Sequence, residues 1–138
     1  MEKNIGIWMD GTKALLVDAA SGNLQTIEAD IENSVHLYGE GDKGNFTGGG
    51  HHINNERKFD ERRKHQTNDY LKRIAEEVKD ADHLYVFGPA EMKTHFKNYI
   101  ESQHGLKNKL SAVESADKMT DNQVVAAVKT FFEKKRSN

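Results

Sequence analysis

Three short runs of alternating apolar residues, divided by tight-turn signals, fill the first 32 residues and dictate a meander of antiparallel strands. In "NIGIWM" the apolar Ile5, Ile7 and Met9 alternate with Asn4, Gly6 and Trp8, which predicts a strand with one face inward. Asp10-Gly11 is a hairpin signal, and "ALLVDA" is the returning strand. "SGN" gives a second turn, and "LQTIEADIE" a third strand whose better core face is Gln25, Ile27, Ala29 and Ile31.

Residues 33 to 52 break every periodicity and hold six of the eleven glycines: Gly39, Gly41, Gly44, Gly48, Gly49 and Gly50. A stretch of this length without a pattern reads as a loop, about 39–52, that is functional or disordered. A long helix is expected to begin near Asn54 or Asn55. Phe59, Thr67, Tyr70, Leu71, Ile74, Ala75 and Val78 share one face of it. Its first turns, "ERKFDERRKHQ", are almost wholly polar, so the helix is expected to project there and to pack only by its second half.

"HLYVFG" reads as a buried, central strand. "PAEMKTHFKNYIES" reads as a helix with Pro89 near its first turn and a stripe of Met92, His95, Phe96, Tyr99 and Ile100. "KLSAVES" is a fifth strand, and "TDNQVVAAVKTFFEKK" a last helix whose Thr120 and Gln123 fit a capping box. The order β-β-β-α-β-α-β-α predicts one α/β domain over residues 1–138, with a mixed five-stranded sheet and helices on its faces. This is the three-layer order of ribonuclease H-like folds.

The bulk numbers exclude some functions. A formal net charge of -2 supplies no general attraction for nucleic acid, so such binding needs a local basic patch. With no cysteine there is no thiolate metal site, disulfide or thiol nucleophile. No apolar run approaches the ~20 residues that span a bilayer, and there is no signal-peptide pattern, so the expectation is a cytoplasmic protein without a membrane partner.

Four chemistries compete for "NFTGGGHH" and its surroundings. A metal-dependent nuclease would use strand-end carboxylates, and Asp10 and Glu114 are available, but the fourth strand ends in Phe87-Gly88, and Asp10 already suits a turn. His51 and His52 could approach a metal, yet no third and fourth ligand stands at a suitable spacing, so no metal or other cofactor is expected. "TGGG" precedes a helix but lacks the GK[ST] of a phosphate loop. The cluster Arg57, Lys58, Arg62, Arg63 and Lys64, interleaved with Glu56, Asp60 and Glu61, is either a solvated helix face or a docking surface for RNA phosphates.

The run from "GNFTGGGHH" through "ERKFDERRKHQTNDYLKRIAEEV" to "HLYVFGPAEMKTHF" resembles the middle domain of archaeal and eukaryotic peptide-chain release factors and their Pelota relatives. "FGPAEMK", residues 87 to 93, carries the closest local match. "ADKMTDNQVVAAV" is similar to the closing segment of short bacterial relatives, some of them labelled host-attachment proteins. The resemblance implies a ribonuclease H-like fold and a role at the ribosome or on tRNA. It places the family's hydrolytic Gly-Gly-Gln at Gly48-Gly49-Gly50 or Gly49-Gly50-His51, and neither register holds a glutamine. A stand-alone relative without release activity, and without flanking codon-reading domains, is the expectation that follows.

The leading expectation is therefore a translation-factor-like binding protein rather than an enzyme. Its RNA-binding residues would be Gly48, Gly49, Gly50, His51, His52, Arg57, Lys58, Arg62, Arg63 and Lys64. A small hydrolase or nuclease on the same fold and a non-catalytic structural or homo-oligomeric module remain as alternatives.

Overall fold

The computed structural model describes residues 2–32, 49–103, 105–106 and 108–137, the backbone alone for 49–56 and 135–137. The expected loop from 39 to 48, with Gly48 in it, and the histidines His36 and His104 lie outside the described residues. The elements are β1 (Asn4–Met9), β2 (Lys13–Asp18), β3 (Leu24–Glu28), α1 (Gly49–Glu77), β4 (His83–Gly88), α2 (Met92–Glu101), β5 (Leu110–Ser115) and α3 (Asp121–Ser137). They build the expected α/β three-layer fold.

The sheet order is β3-β2-β1-β4-β5. β2 runs antiparallel to both neighbours, while β1, β4 and β5 are mutually parallel. The first turn forms because Asp10 caps it: its Oδ1 accepts from the backbone N–H groups of Thr12 and Lys13 at 2.8 and 3.0 Å. The second forms around Asp18, whose Oδ1 accepts from the N–H of Ala20, and around Gly22 at a φ of 78°. β3 stops at Glu28, short of the expected length, because Asp30 takes a left-handed φ of 55° that no strand tolerates. Its inner face is as read for Ile27 and Ala29, which are buried, and Ile31, packed partly against them, but Gln25 is exposed, because its polar amide keeps its contact with water.

Two apolar clusters fill the layers. Ile5, Ile7, Met9, Leu16, Leu84 and Val86 meet Tyr70, Leu71, Ile74 and Val78 of α1 and Phe96 and Ile100 of α2. Trp8, Leu15, Val17, Tyr85 and Phe87 meet Val124, Val128 and Phe132 of α3 on the other face. β1 thus departs from its expected one-sided burial. It is the middle strand with helices above and below, so Trp8, at 2 % exposure, faces a second core rather than solvent. β4, expected as central, lies one place off centre and is buried all the same.

Two helix starts differ from expectation. α1 begins at Gly49, about five residues early. Glycine lowers helix propensity without forbidding a helix, and the chain's single proline, Pro89, lies far downstream. α2 begins at Met92, so Pro89 is outside its first turn. Gly88 at φ 149° and Ala90 at φ 57° cannot enter a right-handed helix. The buried face of α2 is Lys93, Phe96 and Ile100, and His95, expected in the stripe, is exposed. α3 begins as predicted: the N–H of Gln123 donates to Thr120 Oγ1 at 3.2 Å, and the N–H of Thr120 to Gln123 Oε1 at 2.9 Å.

Two buried tyrosines give a test of both layers. The Tyr70 hydroxyl donates to the carbonyl of Asp10 at 3.1 Å, and burial pushes its ionisation well above the ordinary value of 10.0; the Asp10 charge adds to this and Arg73 opposes it. Tyr85 is stacked between Phe87 and Phe131, at centroid distances of 4.5 and 3.9 Å. Its hydroxyl donates to Glu114 Oε1 at 2.8 Å, and burial, then this bond, raise its ionisation too. A raised folded value means that the stabilisation is complete below about pH 10 and is lost as pH climbs through the folded value. In an alkaline absorbance titration, Tyr70 and Tyr85 should ionise only together with unfolding. Early ionisation of all four tyrosines with the fold intact, by circular dichroism, would refute this.

Candidate nucleic-acid interface

α1 is about 44 Å long at 1.5 Å per residue, longer than the sheet it packs on. The Tyr70 bond to Asp10 sets its level at the C-terminal end of β1. Phe59, eleven residues earlier, therefore sits roughly 16 Å further along the helix. The second half enters the core as expected, and between Arg57 and His65 every residue except Phe59 is exposed. The burial of Phe59 departs from the expected projection, because it shows that the first half is covered along one side. Phe59 is 3 % exposed yet belongs to neither core cluster. The guanidinium carbons of Arg62 and Arg63 each stand 5.9 Å from its ring centroid, a cation–π arrangement that limits the spread of both side chains.

The structure brings Arg57, Lys58, Arg62, Arg63 and Lys64 together as exposed cations on the first half of α1, beside Asp60 and Glu61, for a local charge of +3 in a chain whose net charge is -2. Gly49, Gly50, His51 and His52 form the first turn of α1 rather than a loop, and their side chains lie outside the described residues. His51 and His52 are therefore not placed relative to any other ligand. Among the described residues, no group of three His, Asp or Glu side chains is arranged to hold a metal ion.

One partner escaped sequence reasoning. Glu32, at the exit from β3, reaches across to α1. Its Oε2 accepts from Arg62 Nε at 2.8 Å and from Gln66 Nε2 at 3.2 Å, and its Oε1 from Arg62 Nη2 at 3.4 Å. The Glu32 backbone N–H donates to Gln66 Oε1 at 2.8 Å, so the two partners dictate the orientation of the Gln66 amide. Hydrogen bonding to Arg62 holds the Glu32 carboxyl below the usual carboxylate range, and the same bond raises Arg62. Beside this pair runs a groove of about 420 Å³ lined by Lys58, Glu61, Arg62, His65 and Gln66. No local pattern could reveal Glu32, because it is thirty residues from Arg62 in the chain.

Lys93 was missed as well. It is 9 % exposed, and its ammonium donates to the carbonyl of Ala90. That bond closes the turn that ends β4 and supports the left-handed Ala90, which gives the "FGPAEMK" segment a structural task.

The carboxylates considered for a nuclease do not converge. β4 separates β1 from β5, so the two strands lie two spacings apart, roughly 10 Å. Phe87 stands in register between Trp8 and Glu114. Asp10 Oδ1 is occupied by its turn, and Glu114 by Tyr85.

No family model matches the chain, and no curated protein matches it. Among solved structures, it is similar to the crystal structure of archaeal translation termination factor aRF1, with a TM-score of 0.49 and 11 % identity over 96 % of this chain and 39 % of that one. This chain spans about two fifths of that protein's length. At that level the likeness fixes neither a family nor an activity. Among the described residues, no helix is long and apolar enough to cross a membrane.

Proposed function

We propose that this protein is a translation-factor-like binding module that docks on structured RNA, ribosomal or transfer, through the exposed side of the first half of α1. The observation that carries the reading is the set of five exposed cations, Arg57, Lys58, Arg62, Arg63 and Lys64, within eight residues of one helix. Such a segment can reach a phosphate backbone without exposing the sheet. The glycines at the start of α1, having no Cβ, allow a close approach there. The motif resemblance in "GNFTGGGHH" and "FGPAEMK" points to the same class of partner. The role is binding and not ester hydrolysis, because neither register of the glycine run supplies a glutamine.

Co-sedimentation with ribosomes at low and moderate salt tests this. Binding should weaken as salt rises. Changing Arg62, Arg63 and Lys64 together to alanine should weaken it roughly 10- to 100-fold and reduce the salt slope by about two, at some 0.7 per phosphate contact. The fold should be nearly untouched, since all three side chains are exposed. Unchanged binding in the triple variant overturns the proposal. Association that ignores salt and persists without ribosomes would instead indicate self-association through apolar surface.

A further inference from the structure

Arg62 presents a two-toothed fork. Its Nε and Nη2 already hold the two oxygens of one anion, the Glu32 carboxylate, at 2.8 and 3.4 Å. The two non-bridging oxygens of a phosphodiester fit the same fork. From the geometry we propose that Glu32 is a built-in competitor for RNA phosphate at Arg62. The carboxylate occupies the guanidinium in the free protein and is displaced by a phosphodiester that enters the adjoining groove. This rests on the RNA-binding reading above and adds to it the residue that sets its strength.

Three features make the exchange feasible. First, the pair is exposed, with side chains 49 % and 35 % accessible, so it is weakly held and screened by solvent. A buried pair would resist exchange, because separating it would leave a desolvated charge behind. Second, residue 32 is anchored independently of its carboxylate. The bond from its backbone N–H to Gln66 Oε1 involves only main chain on the Glu32 side. The carboxylate can therefore rotate away while the exit from β3 stays in place. Third, the groove supplies further partners on the same helix face. Lys58 precedes Arg62 by four residues and His65 follows by three, so both stand one turn away. Gln66 Nε2, released from Glu32, becomes a free donor. Glu61 is the opposing charge in the groove and keeps the site from being purely cationic.

The consequence is a discount on affinity. Each phosphate that binds Arg62 must first replace Glu32, so Arg62 contributes less than its charge suggests. Glu32→Gln keeps the shape and removes the charge. Fluorescence anisotropy with a labelled RNA hairpin should show it binding roughly two- to fivefold more tightly than the natural protein, the range set by the strength of an exposed pair. In the Arg62→Gln background, Glu32→Gln should bring no gain. An unchanged affinity for Glu32→Gln, or an equal gain in both backgrounds, overturns the competition; in either case salt-sensitive RNA binding by the natural protein would leave the RNA reading standing. A second probe separates the two ideas. In a titration with inorganic phosphate, the Nε–H resonance of Arg62 should shift, and at lower phosphate in Glu32→Gln. That shift without any RNA binding supports the exchange and overturns the RNA reading. No shift in either protein and no RNA binding sinks both.

Discussion

Gly88→Ala lowers the melting temperature by roughly 10–20 °C, the largest effect expected of any single methyl added to this chain. Two separate costs combine. Gly88 has a φ of 149°, where an L side chain is strained by about 1–3 kcal/mol. A Cβ built there would also meet the Met9 carbonyl oxygen at 2.1 Å. That oxygen is main chain of the neighbouring strand, so it cannot swing aside as a side chain would. Overpacking of this kind costs about a further 1–3 kcal/mol. The total, on the order of 2–6 kcal/mol, is a large part of the 5–15 kcal/mol that holds a typical domain together. Gly11→Ala is the control, because nothing lies within 4 Å of its added methyl. Thermal or urea unfolding of the two variants checks the contrast, and equal midpoints would contradict it.

The second large effect is expected on the other face of the sheet. Gly6 lies beneath α3, and a Cβ there would stand 2.2 Å from Val128 Cγ2, 2.7 Å from Cγ1 and 2.9 Å from Cβ. No unusual φ is involved, so the cost is purely steric: the helix must lift or Val128 must give way. Gly6→Ala should cost roughly 2–4 kcal/mol. Val128→Ala alone should cost about 2 kcal/mol through a cavity. Together they should cost less than the sum by at least about 1 kcal/mol, because the truncation vacates the space the new methyl needs. Relief is partial, since the Cβ at 2.9 Å stays. A double variant whose loss equals the sum of the singles would show that the two positions do not meet. The proposed RNA binding, measured well below the midpoint, should be unaltered, because Gly6 and Val128 meet on the α3 face and the basic segment belongs to α1.

These two glycines also mark where reading a sequence stops. Gly6 was read simply as an outward position in an alternating strand, and Gly88 as the end of a buried one. Nothing local says that a helix rests on the first or that a neighbouring carbonyl crowds the second. Both facts come from elements far away in the chain: Val128 in one case and Met9 in the other.

What the sequence by itself determined is whatever depends on neighbours within a few residues. The alternation in "NIGIWM" and "ALLVDA" set the strands, Asp10-Gly11 and "SGN" set the turns, Thr120 and Gln123 set the start of α3, and the polar run after Asn55 set the exposed face of α1. Period and capping are local physics, so they can be read from a linear string. The tertiary structure alone decided three other things. It covered β1 on both faces, because only the strand order 3-2-1-4-5 makes that strand central. It moved the start of α2 past Pro89, because a left-handed Ala90 is supported by the buried Lys93. And it joined Glu32 to Arg62, because electrostatic and hydrogen-bond partners are chosen by distance in space, which the separation of two residues along a chain does not encode.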